Sequence, residues 1–290
     1  MRLLFYIGCL LFIASKCSAG DTLLVAKLRS FIYAESGLAL DRDFYLKWAE
    51  SDKPLAYLYV SRADSVATPD DFESSYKFFG FDTDGARKSA QQYSAQGYQA
   101  FCYNTYANSS AKLSKRLMMY PDEAIAFVMF HEFIHNYLDQ KDIRIAYEFN
   151  EALCDVVGNY EAMKYCALVS DSLGRKAVEQ CARNERMFVA INTAISKVNH
   201  HPLKARRYNL HCEKRIQKEL QEGHLFQRDR LDYAVNNAFL LKNEYYCKNY
   251  FLLKKVFLHQ KSLPEFLEIM AHLPNDVKDY ETYLLSFCKK

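Results

Sequence analysis

The chain reads as an α+β protein dominated by helix, and three observations predict this. Two short runs rich in β-favouring residues, 55–60 and 98–103, lie in the first half. From Asp122 onward apolar residues recur at helical spacing, with breaks near Ser170 to Gly174, Asn199 to Pro202, Gly223 and Pro264. No internal repeat or low-complexity linker divides the sequence. Residues 20–290 are therefore expected to form one domain, with two lobes flanking a central site and a small sheet ahead of the helix that carries it.

The amino terminus has the pattern of a secretory signal over residues 1–19. Arg2 precedes an apolar run from Leu3 to Ala14, and the small residues Ser18, Ala19 and Gly20 close it. The run is too short for a stable membrane span. An exported protein, periplasmic or secreted, is the expectation; Lys16 is a poor neighbour for a lipid anchor on Cys17. Removing this segment deletes Arg2 and Lys16 and no acids, so 38 basic and 35 acidic residues become 36 and 35. A near-neutral chain excludes the strong positive field a nucleic-acid partner demands. The basic stretch Lys204-Ala205-Arg206-Arg207 with Lys214-Arg215 is interleaved with acids and reads as a solvated helical face. Cys102, Cys154, Cys166, Cys181, Cys212, Cys247 and Cys288 remain after the signal. An oxidising compartment would give one to three disulfides, Cys166 to Cys181 being the most local pair, and no CxxC suggests a thiolate metal site.

In chain order, Leu23 to Glu35 and Phe44 to Ala49 read as helical and Leu55 to Val60 as a strand. Tyr98 to Tyr103 is a second strand, placed to form the upper edge of a cleft and to bind an extended peptide by strand addition. Tyr120-Pro121-Asp122-Glu123 is a helix start, with acids at the positive end of the dipole. The helix runs from Ala124 to about Leu138 and is apolar almost all round, broken by His131, Glu132 and His135.

His131-Glu132-Phe133-Ile134-His135 carries the chemistry. A helix puts residues i and i+4 on one face, where two imidazoles bind one Zn²⁺, and the glutamate beside them can take a proton from a water on the metal. Phe149-Asn150-Glu151-Ala152-Leu153-Cys154-Asp155 opens a second helix with the same spacing. Glu151 is the expected third ligand, and Asp155 accepts the free N–H of a ligating histidine. Cys154 is the alternative ligand, since thiolate binds zinc well, but it is out of step with Glu151 and reads more simply as a small buried residue. His200-His201 adjoin Pro202 and read as surface histidines, since adjacent residues rarely chelate together.

His-Glu-x-x-His followed by Asn-Glu-x-x-x-Asp resembles the gluzincin metallopeptidases, and more closely a zinc aminopeptidase family of bacterial exported proteins. Phe130 to His135 and Phe149-Asn150-Glu151-Ala152 carry the core of the resemblance. Leu28-Arg29-Ser30-Phe31, Ser36-Gly37-Leu38, Phe44-Tyr45, Phe79-Gly80-Phe81-Asp82, Ala86, Ala90 and Gly97-Tyr98 extend it toward the amino terminus. Asn236-Asn237-Ala238, Leu240, Tyr246 and Leu263-Pro264-Glu265-Phe266 extend it toward the other end. The chain departs from that family at Thr105 to Ser110, where a glycine-rich aromatic run is usual, and it lacks the Gly-x-Met-Glu-Asn element of many gluzincin aminopeptidases.

The resemblance implies a zincin-like fold and hydrolysis of peptide substrates, with Glu132 as general base and Tyr246 at the position of the oxyanion donor; Tyr245 and Tyr106 are alternatives for that donor. The contrasting expectation is a zinc-bearing binding or structural protein with a peptidase fold and little turnover.

Overall fold

The computed structural model describes residues 23–36, 44–49, 53–74, 76–105, 112–222 and 235–288. The expected signal, Tyr106 and the region around Gly223 lie outside the described residues. A first helix, α1, covers 23–36 and buries Val25, Leu28 and Ile32 along one stripe. Residues 44–49, expected as helix, instead form a turn. Tyr45 has φ 50°, a left-handed value that a right-handed helix excludes, and Trp48 forms a parallel bridge to Leu113.

Three antiparallel strands follow: β1 (Leu55–Ser61), β2 (Tyr76–Phe78) and β3 (Gln99–Thr105), in the order β2-β1-β3. Tyr57 pairs with both Tyr103 and Phe78, and Tyr59 with both Phe101 and Tyr76. Strand side chains alternate in direction, so these aromatics share one face. The opposite face, with Ala56, Leu58 and Val60, is covered by α2 (Thr83–Ala95), which Asp82 caps through Gly85 N–H at 2.8 Å. Gly97, at φ 89°, turns the chain from α2 into β3. Neither β2 nor α2 was anticipated: β2 has three residues, and α2 is mostly polar with only Ala86 buried.

The remaining chain is helical. α3 (Asp122–Gln140) starts after Pro121 and buries Ile125, Met129, Phe130, Phe133, Ile134 and Leu138 on several sides. α4 (Tyr147–Val169) lies against it. Gly158 permits the approach, because a Cβ there would meet the Phe127 ring at 3.0 Å and the Phe127 carbonyl oxygen at 3.1 Å. α5 (Asp171–His200) begins one residue after α4 ends, capped by the Ser170 side chain on Leu173 N–H. Gly174, expected to lie in a break, is inside α5, where a Cβ would meet Ala167 Cα at 3.0 Å. α6 (Ala205–Glu222) packs on α5 and presents Arg206, Arg207, Lys214 and Arg215 outward. After α7 (Asn237–Cys247) and α8 (Tyr250–His259), the expected break near Pro264 falls at residues 260–262, and α9 (Leu263–Ala271) follows with Ser262 as cap and Pro264 in its first turn. α10 (Tyr280–Ser286) completes the described chain. No described helix is long and apolar enough to cross a membrane. All seven described cysteines are free thiols. The expected Cys166 to Cys181 bond is absent, and Cys181 instead donates to Glu185 Oε1 one turn along its own helix at 3.8 Å.

Two asparagines join α7 to the sheet. Asn236 caps α7 through Phe239 N–H and donates its amide to the Ala100 carbonyl at 2.9 Å. Asn237 is fully buried: its backbone N–H donates to Gln99 Oε1, its amide donates to the Arg62 and Ala63 carbonyls, and its Oδ1 accepts from Asn209. Removing that amide leaves several buried groups unpaired. Asn237→Ala is expected to cost about 2–3 kcal/mol of stability in urea unfolding; a loss below about 0.5 kcal/mol, the range of ordinary surface changes, would show that the tie contributes nothing.

Candidate metal centre

Contacts between α3 and α4 step along the two helices in opposite directions, from Phe127 against Gly158, to His131 against Asp155, to His135 against Glu151. Each step is about one helical turn, so residues spaced i, i+4 on both helices meet in one column. His131 Nδ1 lies 2.8 Å from Asp155 Oδ1. With Nδ1–H donating to that carboxylate, the lone pair of His131 Nε2 faces the other way. It converges on His135 Nε2 at 3.2 Å and on Glu151 Oε2 at 3.5 Å, and Glu151 Oε1 is 3.7 Å from His135 Nε2. Donors about 2.1 Å from a single ion at tetrahedral angles sit about 3.4 Å apart, so the separations within this triangle of two imidazoles and a carboxylate lie close to those of such a site.

His131, His135 and Cys154 also lie close enough together to hold a metal ion. Cys154 is fully buried, as expected, and also borders the centre. Its Sγ approaches His135 Nδ1 at 3.5 Å and Asn150 Oδ1 at 3.5 Å. That is the ring nitrogen other than the one facing His131. An ion shared by the two Nε2 atoms therefore has Glu151, not Cys154, on its side of His135. Burial, and then the Glu151 charge, push the Cys154 thiol well above its usual range and favour the uncharged thiol, a poorer ligand than thiolate. For Glu151 burial works the other way, but the imidazoles of His131 and His135 beside it outweigh burial and hold the carboxyl well below its usual range.

Glu132 follows His131 on α3. It is 6 % exposed, and its Oε2 has no hydrogen-bond partner among the described residues. Burial raises its pKa against the lowering influence of His131 and His135. The hydroxyl of buried Tyr45 is likewise without a partner among the described residues, and its pKa is raised by burial and then by Glu132. Orphaned polar atoms in a core are costly unless water or a ligand completes them.

α7 supplies the other wall. The Tyr246 ring stacks against His131, with centroids 6.4 Å apart and planes 19° from parallel. Tyr245 turns instead to Tyr147, at 4.6 Å. His200 and His201 are exposed at the end of α5, as expected of surface residues. Three neighbours of the centre were not anticipated: Tyr45, Tyr103 and Lys242. Lys242 had a signal, a single cation in the apolar run Ala238-Phe239-Leu240-Leu241. Tyr103 lies in the strand expected at the cleft edge and Tyr45 within the family resemblance, but nothing in the sequence assigns either side chain to the centre.

A scan of protein-family models finds no match to the chain, and neither curated proteins nor solved structures match it.

The two donor sets separate by mutation. Glu151→Ala is expected to abolish stoichiometric zinc binding, measured by elemental analysis after gel filtration, while Cys154→Ala keeps it; the reverse pattern would assign the third ligand to the thiol.

Proposed function

We propose that the chain is an exported zinc-dependent peptidase of gluzincin type, with aminopeptidase action the expectation from its family resemblance. One observation carries the reading: Glu132 holds an unpartnered, buried carboxylate oxygen beside two imidazoles whose Nε2 atoms converge. A structural role for the histidine pair would not require that glutamate.

Zinc held by His131, His135 and Glu151 would acidify a water and polarise a substrate carbonyl. Every other function is assigned to the chain's own groups. Asp155 holds His131 in the tautomer that leaves Nε2 free. Glu132, its pKa raised by burial, accepts a proton from the attacking water and delivers it to the departing amine as the peptide C–N bond breaks. The products are a carboxylate and an ammonium: one water proton reaches the amine through Glu132, the other passes to it from the new carboxyl group, and the proton count closes without a further reagent. Tyr246, stacked on His131, is the residue assigned to steady the oxyanion that develops on the carbonyl.

Glu132→Gln keeps the size and hydrogen-bonding capacity of the side chain but not its basicity. It is expected to retain zinc and to lower cleavage of a mixed peptide library, read by mass spectrometry, about 10²–10⁴-fold. Undiminished cleavage with zinc retained would overturn the assignment of the base. A wild-type protein that binds zinc and cuts no peptide in the library would overturn the peptidase reading.

A further inference from the structure

Lys242 is a buried cation for which the reaction as described has no use. It is 8 % exposed, and among the described residues no carboxylate lies within ion-pair distance of it. Its one hydrogen bond runs to Asn243 Oδ1 at 3.4 Å, the weak end of the range. What surrounds the ammonium is aromatic: Nζ lies 4.1 Å from the Tyr103 ring centroid and 4.3 Å from that of Tyr246. Ring faces attract cations, more strongly where water is excluded. Burial pulls the Lys242 pKa down to about 8, against the raising influence of Glu151 and then Asp155.

The position explains the choice of residue. Tyr103 belongs to β3, while Lys242 and Tyr246 sit one turn apart on α7, so the ammonium joins sheet to helix beside the centre. Tyr246 in turn rests on His131. An apolar side chain would fill the same space with no charge to bury. The centre, however, gathers three carboxylates, Glu132 and Asp155 buried and Glu151 nearly so. A divalent ion offsets two negative charges and the ammonium a third.

We propose that Lys242 is a positioning residue of the metal centre: its ammonium clamps the Tyr103 and Tyr246 rings beside the site and balances, with a divalent ion, the charge of Glu132, Glu151 and Asp155. This rests on the metal reading of the site, and its activity arm on the peptidase reading as well.

The test compares Lys242→Met, which keeps length without charge, with Lys242→Arg, which keeps the cation. Zinc affinity is measured on the full chain by competition with a chromophoric chelator, and kcat and KM on a peptide that the wild type cleaves. Removing a neighbouring positive charge is expected to tighten zinc binding about tenfold in Lys242→Met, with Lys242→Arg near wild type. A packing role alone would leave zinc affinity unchanged or weaken it, and either result overturns the charge-balance assignment. Loosening Tyr246 is expected to lower kcat about tenfold or more with KM within about twofold, rescued by Lys242→Arg. Equal kcat losses in both variants would overturn the clamp. Should Lys242→Met not fold, Lys242→Gln supplies the same comparison. If the wild type binds zinc and cleaves nothing, the peptidase reading fails while the affinity arm still decides the charge balance.

Discussion

The separation of α3 from α4 is the constraint on which the centre depends. Gly158 lets the Phe127 backbone approach to a distance that any side chain would obstruct, and one turn further on this spacing brings His131 to Asp155. Another turn brings His135 to Glu151. The imidazole and carboxylate groups that would hold a metal are thus placed by helix packing rather than by a loop. Because the helices are antiparallel and adjacent, matched i, i+4 spacings on each become a single column of facing side chains. Burial on several faces of α3 leaves little freedom to rotate that column out of line.

The second wall is secured differently. α7 reaches the centre from a distant part of the sequence, and its position is determined by polar groups at its start. Asn236 and Asn237 engage β3 and the loop after β1 with hydrogen bonds that are partly withdrawn from water. Further along the helix, Phe239 meets Phe101 edge-on at 5.2 Å, and Lys242 reaches Tyr103. The aromatic face of the sheet therefore serves both as packing for α7 and as the border of the centre.

Much of this was legible in the sequence where spacing along a single helix carried the information. His131, Glu132 and His135 announce themselves by covalent proximity, and Glu151 and Asp155 do so by repeating the interval. β1 and β3 were legible from their β-branched and aromatic residues. Local signals failed where tertiary contacts decide. Residues 44–49 looked helical but are held as a turn by the bridge from Trp48 to Leu113. The breaks near Ser170 and Pro264 are present, between α4 and α5 and between α8 and α9, but Gly174 and Pro264 themselves lie in the helices that follow. Cys154, out of step with Glu151 along the helix, meets His135 from the side opposite the donor triangle, a contact that only the packing of α3 on α4 creates. Tyr103 and Lys242 become neighbours only when β3 and α7 are assembled, which no interval within either segment reveals.

The contact at Gly158 also bears on ionic size. The donor triangle suits bonds of about 2.1 Å, whereas calcium takes six to eight oxygens at about 2.3–2.6 Å. Admitting the larger ion would mean widening the triangle by moving α3 and α4 apart or recruiting donors from elsewhere. Two of the three facing atoms are imidazole nitrogens, which suit zinc better than a hard cation. Helix spacing, set by the absence of a single methyl group, would then act as a gauge that discriminates among cations before any substrate arrives.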